Sequence, residues 1–133
     1  MPAPAGYSGK PLTEKLGLKS GMRMYVDGGP AYVDELLDHA PYTTRLPRQA
    51  DLTLLFTTSR TRLDKRLPLV IERTSTAGMI WVCWPKKASK VPTDLDENVV
   101  RGTGLALGVV DVKVAAIDDV WSGLKFVRRL ADR

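Results

Sequence analysis

Met79-Ile80-Trp81-Val82-Cys83-Trp84 is the most strongly apolar stretch of the chain, and Gly78 precedes it. A strand with one face in water alternates apolar and polar residues, whereas every side chain of this stretch is apolar. We therefore expect a central strand of a parallel sheet that helices cover on both faces. The stretch is far shorter than the roughly 20 apolar residues of a membrane-spanning helix, so we expect no membrane association.

Two strand-helix units precede this central strand. Met22–Val26 and Leu52–Thr57 are strand-like, and each leads into the start of a helix. The first helix is expected from Pro30 to about Asp38. Ser59 is placed to cap the second, within which Pro68 lacks an amide donor. We expect Pro68 to kink this helix or divide it into two short ones. A short helix at Leu12–Leu16 and a weak strand at Thr43–Leu46 complete this half.

The second half of the chain predicts one more helix and a hairpin. Thr93 is placed to cap a helix from Asp94 to about Leu107, which Gly108 ends. Its inner face is expected to carry Leu95, Val99, Gly102 and Ala106. Two final strands, Val109–Ile117 and Leu124–Leu130, are joined by a short link and should be antiparallel.

Strands that alternate with helices and end in a hairpin indicate a three-layer α/β sandwich with a mostly parallel, Rossmann-like sheet. A chain of 133 residues with 44% hydrophobic content suits one such domain, which we place at residues 11–133. Residues 1–10 are rich in Pro, Ala and Gly, and we expect a flexible arm there.

Charge and composition limit the classes of function. Lys and Arg number 20 against 15 Asp and Glu, which gives a net charge of +5. This modest excess of positive charge is compatible with binding to nucleic acid, with binding to an acidic partner, and with a role in solubility only. One cysteine and one histidine disfavour a zinc site and exclude an internal disulfide. No secretory signal pattern is visible, so the expected location is cytoplasmic.

The turn Asp27-Gly28-Gly29-Pro30 is the first candidate ligand site. Ligands of open α/β sheets bind beyond the carboxyl ends of the strands, and glycines permit close approach of a ligand to the backbone. The spacing is not the G-x-G-x-x-G pattern of dinucleotide sites. The alternative is a tight turn that uses glycine only for its conformational freedom.

The loop after the central strand is the second candidate. Its residues combine positive charge with hydroxyl groups, as an anion site would: Lys86, Lys87, Ser89, Lys90 and Thr93. If the strands that carry the two candidates are adjacent and parallel, the loop lies beside the glycine turn. The alternative is a solvated basic loop that serves solubility.

No catalytic set is recognisable. His39 is expected at the exposed end of a helix, without a nucleophile beside it. Cys83 and Trp81 are expected in the core because they lie in the apolar strand. Trp121 is expected in the final hairpin, over the edge of the sheet. Aspartates at strand ends are common in caps and turns, and no pair of them stands out.

The order of these elements resembles the class I methyltransferase fold in reduced form. Four segments, taken together, look like a small bacterial family of unknown function: Tyr7-Ser8-Gly9-Lys10-Pro11, Trp84-Pro85-Lys86-Lys87-Ala88-Ser89, Pro92-Thr93-Asp94-Leu95 and Trp121-Ser122-Gly123-Leu124-Lys125-Phe126. This resemblance implies the fold, and it brings no activity and no catalytic residue.

Two departures from the methyltransferase pattern decide the functional expectation. The first turn lacks a G-x-G-x-G run, and Thr44 and Arg45 stand where that class carries a carboxylate for the cofactor ribose. We therefore expect no cofactor and a non-catalytic binding or regulatory module for an unknown protein or an anionic ligand. The first alternative is a minimal transferase that depends on S-adenosylmethionine or a nucleotide. The second is a weak, nonspecific nucleic-acid binder.

Overall fold

The computed structural model describes residues 10–133, so the expected arm, apart from Lys10, lies outside the described residues. In the described part, the strands are β1 (Met24–Asp27), β2 (Ala50–Phe56), β3 (Thr74–Pro85), β4 (Val109–Ala116) and β5 (Trp121–Arg128). The α-helices are α1 (Leu12–Leu16), α2 (Val33–Leu36), α3 (Arg60–Glu72) and α4 (Glu97–Ala106). None of these helices is long and apolar enough to cross a membrane.

All five strands belong to one sheet with the order β1-β2-β3-β5-β4. β1, β2 and β3 run parallel, and their register sets Val26 beside Leu54 and Leu54 beside Trp81. β5 is antiparallel to both β3 and β4. The carboxyl ends of β1, β2 and β3 therefore share one edge of the sheet with the start of β5. The expected mostly parallel sheet with a terminal hairpin is confirmed.

Side chains of β3 divide the core into two layers. Ile80 and Val82 pack with α3 and α4 on one face of the sheet, while Met79 and Cys83 pack with α1 and α2 on the other. Trp81 is fully buried on the second face, and its indole N–H donates to the Leu16 carbonyl at 3.0 Å. The three-layer sandwich and the central position of β3 are both confirmed.

Of the two alternatives for the helix that contains Pro68, division into two short helices is wrong, and the expected start of α4 is wrong as well. α3 is one continuous helix through Pro68, because Leu67 and Val70 anchor its buried side on both sides of an exposed proline. The expected cap, Ser59, does accept from the Arg62 amide at 3.2 Å. α4 begins later than expected, and Asp96 caps it by accepting from the Val99 amide at 2.8 Å.

The inner face of α4 is also shifted. A β-carbon at Gly102 would have no atom within 4 Å outside its own turn of the helix, whereas a β-carbon at Gly104 would lie 2.2 Å from the Phe126 ring. Val100 is fully buried on the same side, while Ala106 is exposed. Gly104, which was not expected there, is therefore the glycine that lets α4 approach the sheet.

The elements around β1 and β5 differ from expectation in length. α2 has one turn, and the chain leaves it through Asp38 and His39, whose φ values are +52° and +59°. Thr43 makes only an isolated parallel bridge to Tyr25, so the weak strand is reduced to one residue pair. β5 begins at Trp121, three residues before the expected start, because its first residues pair with Trp84 and Pro85 of β3.

Candidate functional site

The glycine turn lies at the carboxyl end of β1. Gly28 has a φ of +68°, and a β-carbon there would lie 2.6 Å from the Phe56 carbonyl oxygen and 2.9 Å from an Arg62 nitrogen. A β-carbon at Gly29 would lie 2.8 Å from a Val26 methyl carbon. Both glycines are thus needed for the packing of the protein itself.

Asp27 is the buried carboxylate of the site, with 6% of its surface exposed. Its Oδ2 accepts from the Tyr25 hydroxyl at 2.9 Å and from Arg66 Nε at 2.8 Å. Its Oδ1 accepts from Arg62 Nη2. Two guanidinium groups and one hydroxyl therefore surround a single carboxylate, and the cluster carries one net positive charge.

The positions of these four residues follow from the periods of a strand and a helix. Tyr25 and Asp27 are two residues apart and point to the same face of β1, while Arg62 and Arg66 are four apart on the side of α3 that faces them. Burial raises the pKa of Asp27, but hydrogen bonds from Arg66 and Tyr25 and the charge of Arg62 outweigh it. The pKa of Asp27 lies below its ordinary value, so the carboxylate is ionised at neutral pH.

A cavity of about 250 Å³ opens beside this cluster. The residues that line it come from the end of β2, the turns after β1 and β2, the first turn of α3 and the start of β5: Gly28, Phe56, Thr57, Thr58, Ser59, Arg62 and Trp121. The Trp121 ring packs edge-on against Phe56 with 5.1 Å between centroids, and Arg62 Nη1 donates to the Phe56 carbonyl at 2.7 Å. Arg62 therefore joins the cavity to the Asp27 carboxylate.

Tyr32 extends this edge toward the turn between β4 and β5. Its hydroxyl donates to Asp118 Oδ2 at 2.8 Å. Burial, followed by the hydrogen bond to Asp118, raises the pKa of Tyr32 to about 12. Tyr32 therefore stays protonated at neutral pH and serves as a hydrogen-bond donor.

The lysine loop lies at the same edge but not in the same cavity. β2 separates β1 from β3, so the ends of β1 and β3 are about 10 Å apart, two strand spacings along the edge. The two strands are not adjacent, and the lysines do not line the cavity beside Gly28. Lys86 is half-buried, whereas Lys87 and Lys90 are exposed, and no carboxylate of the described residues forms an ion pair with any of them.

The two hydroxyl groups of this loop form hydrogen bonds with backbone groups. The Ser89 hydroxyl donates to the Lys86 carbonyl at 2.6 Å. The Thr93 hydroxyl donates to the Thr58 carbonyl at 2.6 Å and accepts from the Leu95 amide at 3.1 Å. Thr93, expected to cap α4, thus ties the loop to the turn that begins α3. The five loop residues remain a prediction as a ligand site.

The remaining candidate residues lie where the sequence placed them. His39 is exposed beyond the end of α2, and Cys83 is fully buried in β3. Burial raises the pKa of the Cys83 thiol well above its ordinary value. No group of three metal-ligating side chains is present in residues 10–133.

Solved structures provide the comparison for this arrangement, since no protein-family model and no curated protein matches the chain. One similar structure is a precorrin-6y C5,15-methyltransferase from Geobacter metallireducens, with a TM-score of 0.59, 11% identity, and coverage of 89% of this chain and 86% of that one. Another is a putative methyltransferase from Thermoplasma acidophilum, with a TM-score of 0.57, 9% identity, and coverage of 92% and 76%.

A third similar structure is the magnesium protoporphyrin IX methyltransferase of Synechocystis, solved with S-adenosylmethionine bound. Its TM-score is 0.57 at 11% identity, over 89% of this chain and 74% of that one. The chain has a methyltransferase-like fold. At this level of identity the likeness concerns the fold alone, and the expected resemblance to a small bacterial family stays a prediction.

Sequence reasoning placed Asp27 at the methyltransferase-like edge but missed the residues that hold it. The sequence predicted a strand for Tyr25 but gave it no role in a site, and it did not single out Arg62 or Arg66. The sequence did contain a signal for this cluster. Tyr25 and Asp27 are two residues apart in a strand, and Arg62 and Arg66 are four residues apart in the next long helix, so each pair lies on one face of its element. What the sequence did not contain was the relative placement of α3 and β1.

Proposed function

We propose that this domain is a binding module that takes an anionic ligand at the carboxyl edge of its sheet. The observation that carries the proposal is the excess of positive charge there. Arg62 and Arg66 share one carboxylate, and three lysines of the next loop have no carboxylate partner among the described residues. Side chains with this charge bind phosphate and carboxylate groups.

The acidic residues of this edge do not neutralise the lysines of the loop. Asp94 accepts from the Arg60 amide at 2.7 Å, and Asp118 accepts from the Val120 and Trp121 amides at 2.8 Å. These carboxylates stabilise turns of the backbone, and neither forms an ion pair with a lysine of the loop. An incoming anion therefore meets ammonium groups that are not already neutralised.

A second candidate is a minimal S-adenosylmethionine-dependent transferase, which the methyltransferases among the similar structures favour over a non-catalytic module. The residues at the glycine turn do not fit that cofactor as they stand. The cavity of about 250 Å³ lies below the range of roughly 300–1,000 Å³ that is usual for small-molecule sites. Arg62 lines this cavity, and the buried carboxylate of Asp27 already accepts from three protein groups. We derive no methyl-transfer step from this geometry.

Thermal unfolding of the full chain with two separate probes tests both candidates. A ligand that binds only the folded state at one hundred times its Kd adds about 2.7 kcal/mol to the free energy of unfolding. For a domain of this size, that corresponds to a rise in Tm of several degrees. The binding module predicts a saturable rise with inorganic pyrophosphate and none with S-adenosylhomocysteine.

The matched variants locate the effect. Lys86→Ala, Lys87→Ala and Lys90→Ala together should abolish the rise with pyrophosphate. The control removes three charges elsewhere, with Lys10→Ala, Lys19→Ala and Lys65→Ala, and should keep it. A rise with S-adenosylhomocysteine that the loop triple leaves intact would establish the transferase candidate instead. Pyrophosphate binding that both triples weaken equally, and that falls steeply with salt, would indicate the nonspecific nucleic-acid binder.

A further inference from the structure

A second cavity lies beside β1, at the outer edge of the sheet, and it has no part in the proposed binding of an anion at the carboxyl edge. Its volume is about 640 Å³, which falls within the range of roughly 300–1,000 Å³ that is usual for small-molecule sites. It is lined by residues 21–24, 41–43 and 45–48. Residues of the carboxyl edge contribute nothing to it, so it is separate from the lysine loop and the glycine turn.

The cavity exists because the chain leaves the sheet after a single residue pair. Thr43 donates its amide to the Met24 carbonyl and accepts from the Val26 amide, both at 2.9 Å. The Thr43 hydroxyl then accepts from the Arg45 amide at 3.2 Å, which turns the backbone away from β1. The first half of β1 is left facing a gap, and the segment up to Arg48 forms the other wall.

Three arginines line this gap: Arg23, Arg45 and Arg48. All three are exposed, and none forms an ion pair with a carboxylate of the described residues. Asp51 is committed elsewhere, since it accepts from the Arg23 backbone amide at 2.9 Å and from the Ser75 hydroxyl at 3.1 Å. The positive charge at the mouth of the cavity is therefore not neutralised within the described chain.

The walls between these arginines are largely apolar. Met22, Leu46 and Pro47 line the cavity and are half-buried. The Tyr42 ring also lines it, while its hydroxyl donates to Asp34 at 2.5 Å. A bare phosphate would leave these apolar groups in water, and an uncharged apolar molecule would give the exposed guanidinium groups no charged partner in place of water.

We infer that this cavity binds an organic anion that combines an apolar, ring-sized body with a carboxylate, sulfonate or phosphate group. The body packs against Met22, Leu46 and Tyr42, while the acidic group accepts from Arg45 and Arg48. Guanidinium groups suit this role because their planar donors match the paired oxygens of such acids. The site is independent of the anion proposed for the lysine loop.

Fluorescence titration of the full chain with 8-anilinonaphthalene-1-sulfonate, an aromatic sulfonate, tests this site. Wild type should bind one equivalent saturably. Arg45→Ala with Arg48→Ala should raise the Kd by about tenfold or more, because two charge-assisted contacts are lost. Arg45→Lys with Arg48→Lys should recover much of the affinity, and Arg129→Ala with Arg133→Ala, a matched loss of charge elsewhere, should leave it unchanged.

Competition with the wild-type protein tests the same inference without relying on the folding of any variant. Pyrophosphate should fail to displace the bound dye. N-phenyl-1-naphthylamine, an uncharged analogue of the dye, should bind at least about tenfold more weakly than the dye does. Equal affinity for charged and uncharged dyes, or an unchanged Kd in the Arg45 and Arg48 double variant, would overturn the site. Displacement by pyrophosphate would assign the dye to the lysine loop instead.

Discussion

Arg66 and Asp27 are joined between α3 and β1 by a hydrogen bond of 2.8 Å from Nε to Oδ2. The same guanidinium donates from Nη2 to the Tyr25 hydroxyl at 2.9 Å, and that hydroxyl donates to the same carboxylate oxygen at 2.9 Å. The three groups form a closed triangle of donors and acceptors. This triangle ties the first strand to the longest helix of the described chain.

Asp27→Asn should lower the free energy of unfolding at neutral pH by about 2 kcal/mol. This is less than the 3–5 kcal/mol typical of breaking a fully buried ion pair, because both arginines are about one-third exposed. The pKa of Asp27 is lower in the folded state than in the unfolded chain, so its contribution is present above the unfolded value. That contribution is lost as the pH falls below about 4, through the folded value.

Urea unfolding of wild type and Asp27→Asn at about pH 7 and about pH 3 measures this difference, since these values bracket the ordinary pKa of an aspartate. The difference in free energy of unfolding between the two proteins should be smaller at the lower pH than at the higher one, because part of the contribution of the ionised carboxylate is lost there. Asp64→Asn, which changes an exposed carboxylate of α3 outside the cluster, should match wild type throughout. A difference of constant size at both values would show that the ionised carboxylate is not what stabilises the cluster.

The sheet could be predicted from the sequence because the patterns that indicate its strands each lie within one element or one short link. The all-apolar run of β3 needs cover on both faces, and the short link before β5 permits only an antiparallel pair. The Asp27 cluster joins Asp27 to Arg62, which is 35 residues later in the chain, and no local pattern gives the relative position of β1 and α3. The condition under which the lysine loop would lie beside the glycine turn is not met, because β2 lies between the two parallel strands, and no local pattern gives that strand order either.

The start of α4 shows where local reasoning had two acceptable answers. Thr93 and Asp96 are both good cap residues, and acidic residues follow each of them. The Thr93 hydroxyl makes a tertiary contact by donating to the Thr58 carbonyl. The residue that caps α4 is Asp96, which accepts from the Val99 amide. Likewise, Gly102 and Gly104 are equivalent in the sequence until the position of Phe126 is known.

Gly104→Ala should destabilise the protein although alanine favours helix formation. The new methyl group would lie 2.2 Å from a carbon of the Phe126 ring, which is fully buried and cannot move freely. Overpacking of this kind costs about 1–3 kcal/mol, which exceeds the gain of up to about 1 kcal/mol in helix propensity. A Tm several degrees below that of wild type is the expected result in a thermal unfolding scan.

Gly102→Ala is the matched control on the same helix. No atom outside its own turn of the helix lies within 4 Å of the position of its β-carbon, so only the gain in helix propensity remains and the Tm should rise slightly. Equal effects of the two substitutions would mean that α4 does not present Gly104 to the sheet.

Trp81→Phe should cost about 2–3 kcal/mol, because it leaves the Leu16 carbonyl without its buried donor and removes part of a ring from the core. Trp84→Phe provides the comparison, since it makes a similar change in volume at a buried position of the same strand. The Trp84 indole N–H donates to none of the described residues and is not enclosed, because no enclosed side-chain nitrogen among them lacks a partner. Urea unfolding should show the larger loss for Trp81, and a larger loss for Trp84 would contradict the role of the Leu16 contact.

The Cys83 thiol should be inert in the folded protein. It lies fully buried in β3, and burial raises its pKa, so neither access nor a reactive thiolate is available. Reaction with 5,5′-dithiobis(2-nitrobenzoic acid) then requires unfolding and should be at least about a thousandfold slower in buffer than in urea. Because Cys83 is the only cysteine, the released chromophore reports this site alone. Gly104→Ala should accelerate the reaction by the same factor by which it raises the equilibrium constant of unfolding, whereas Gly102→Ala should not accelerate it. Fast reaction of the folded wild type would show that β3 is not enclosed on both faces.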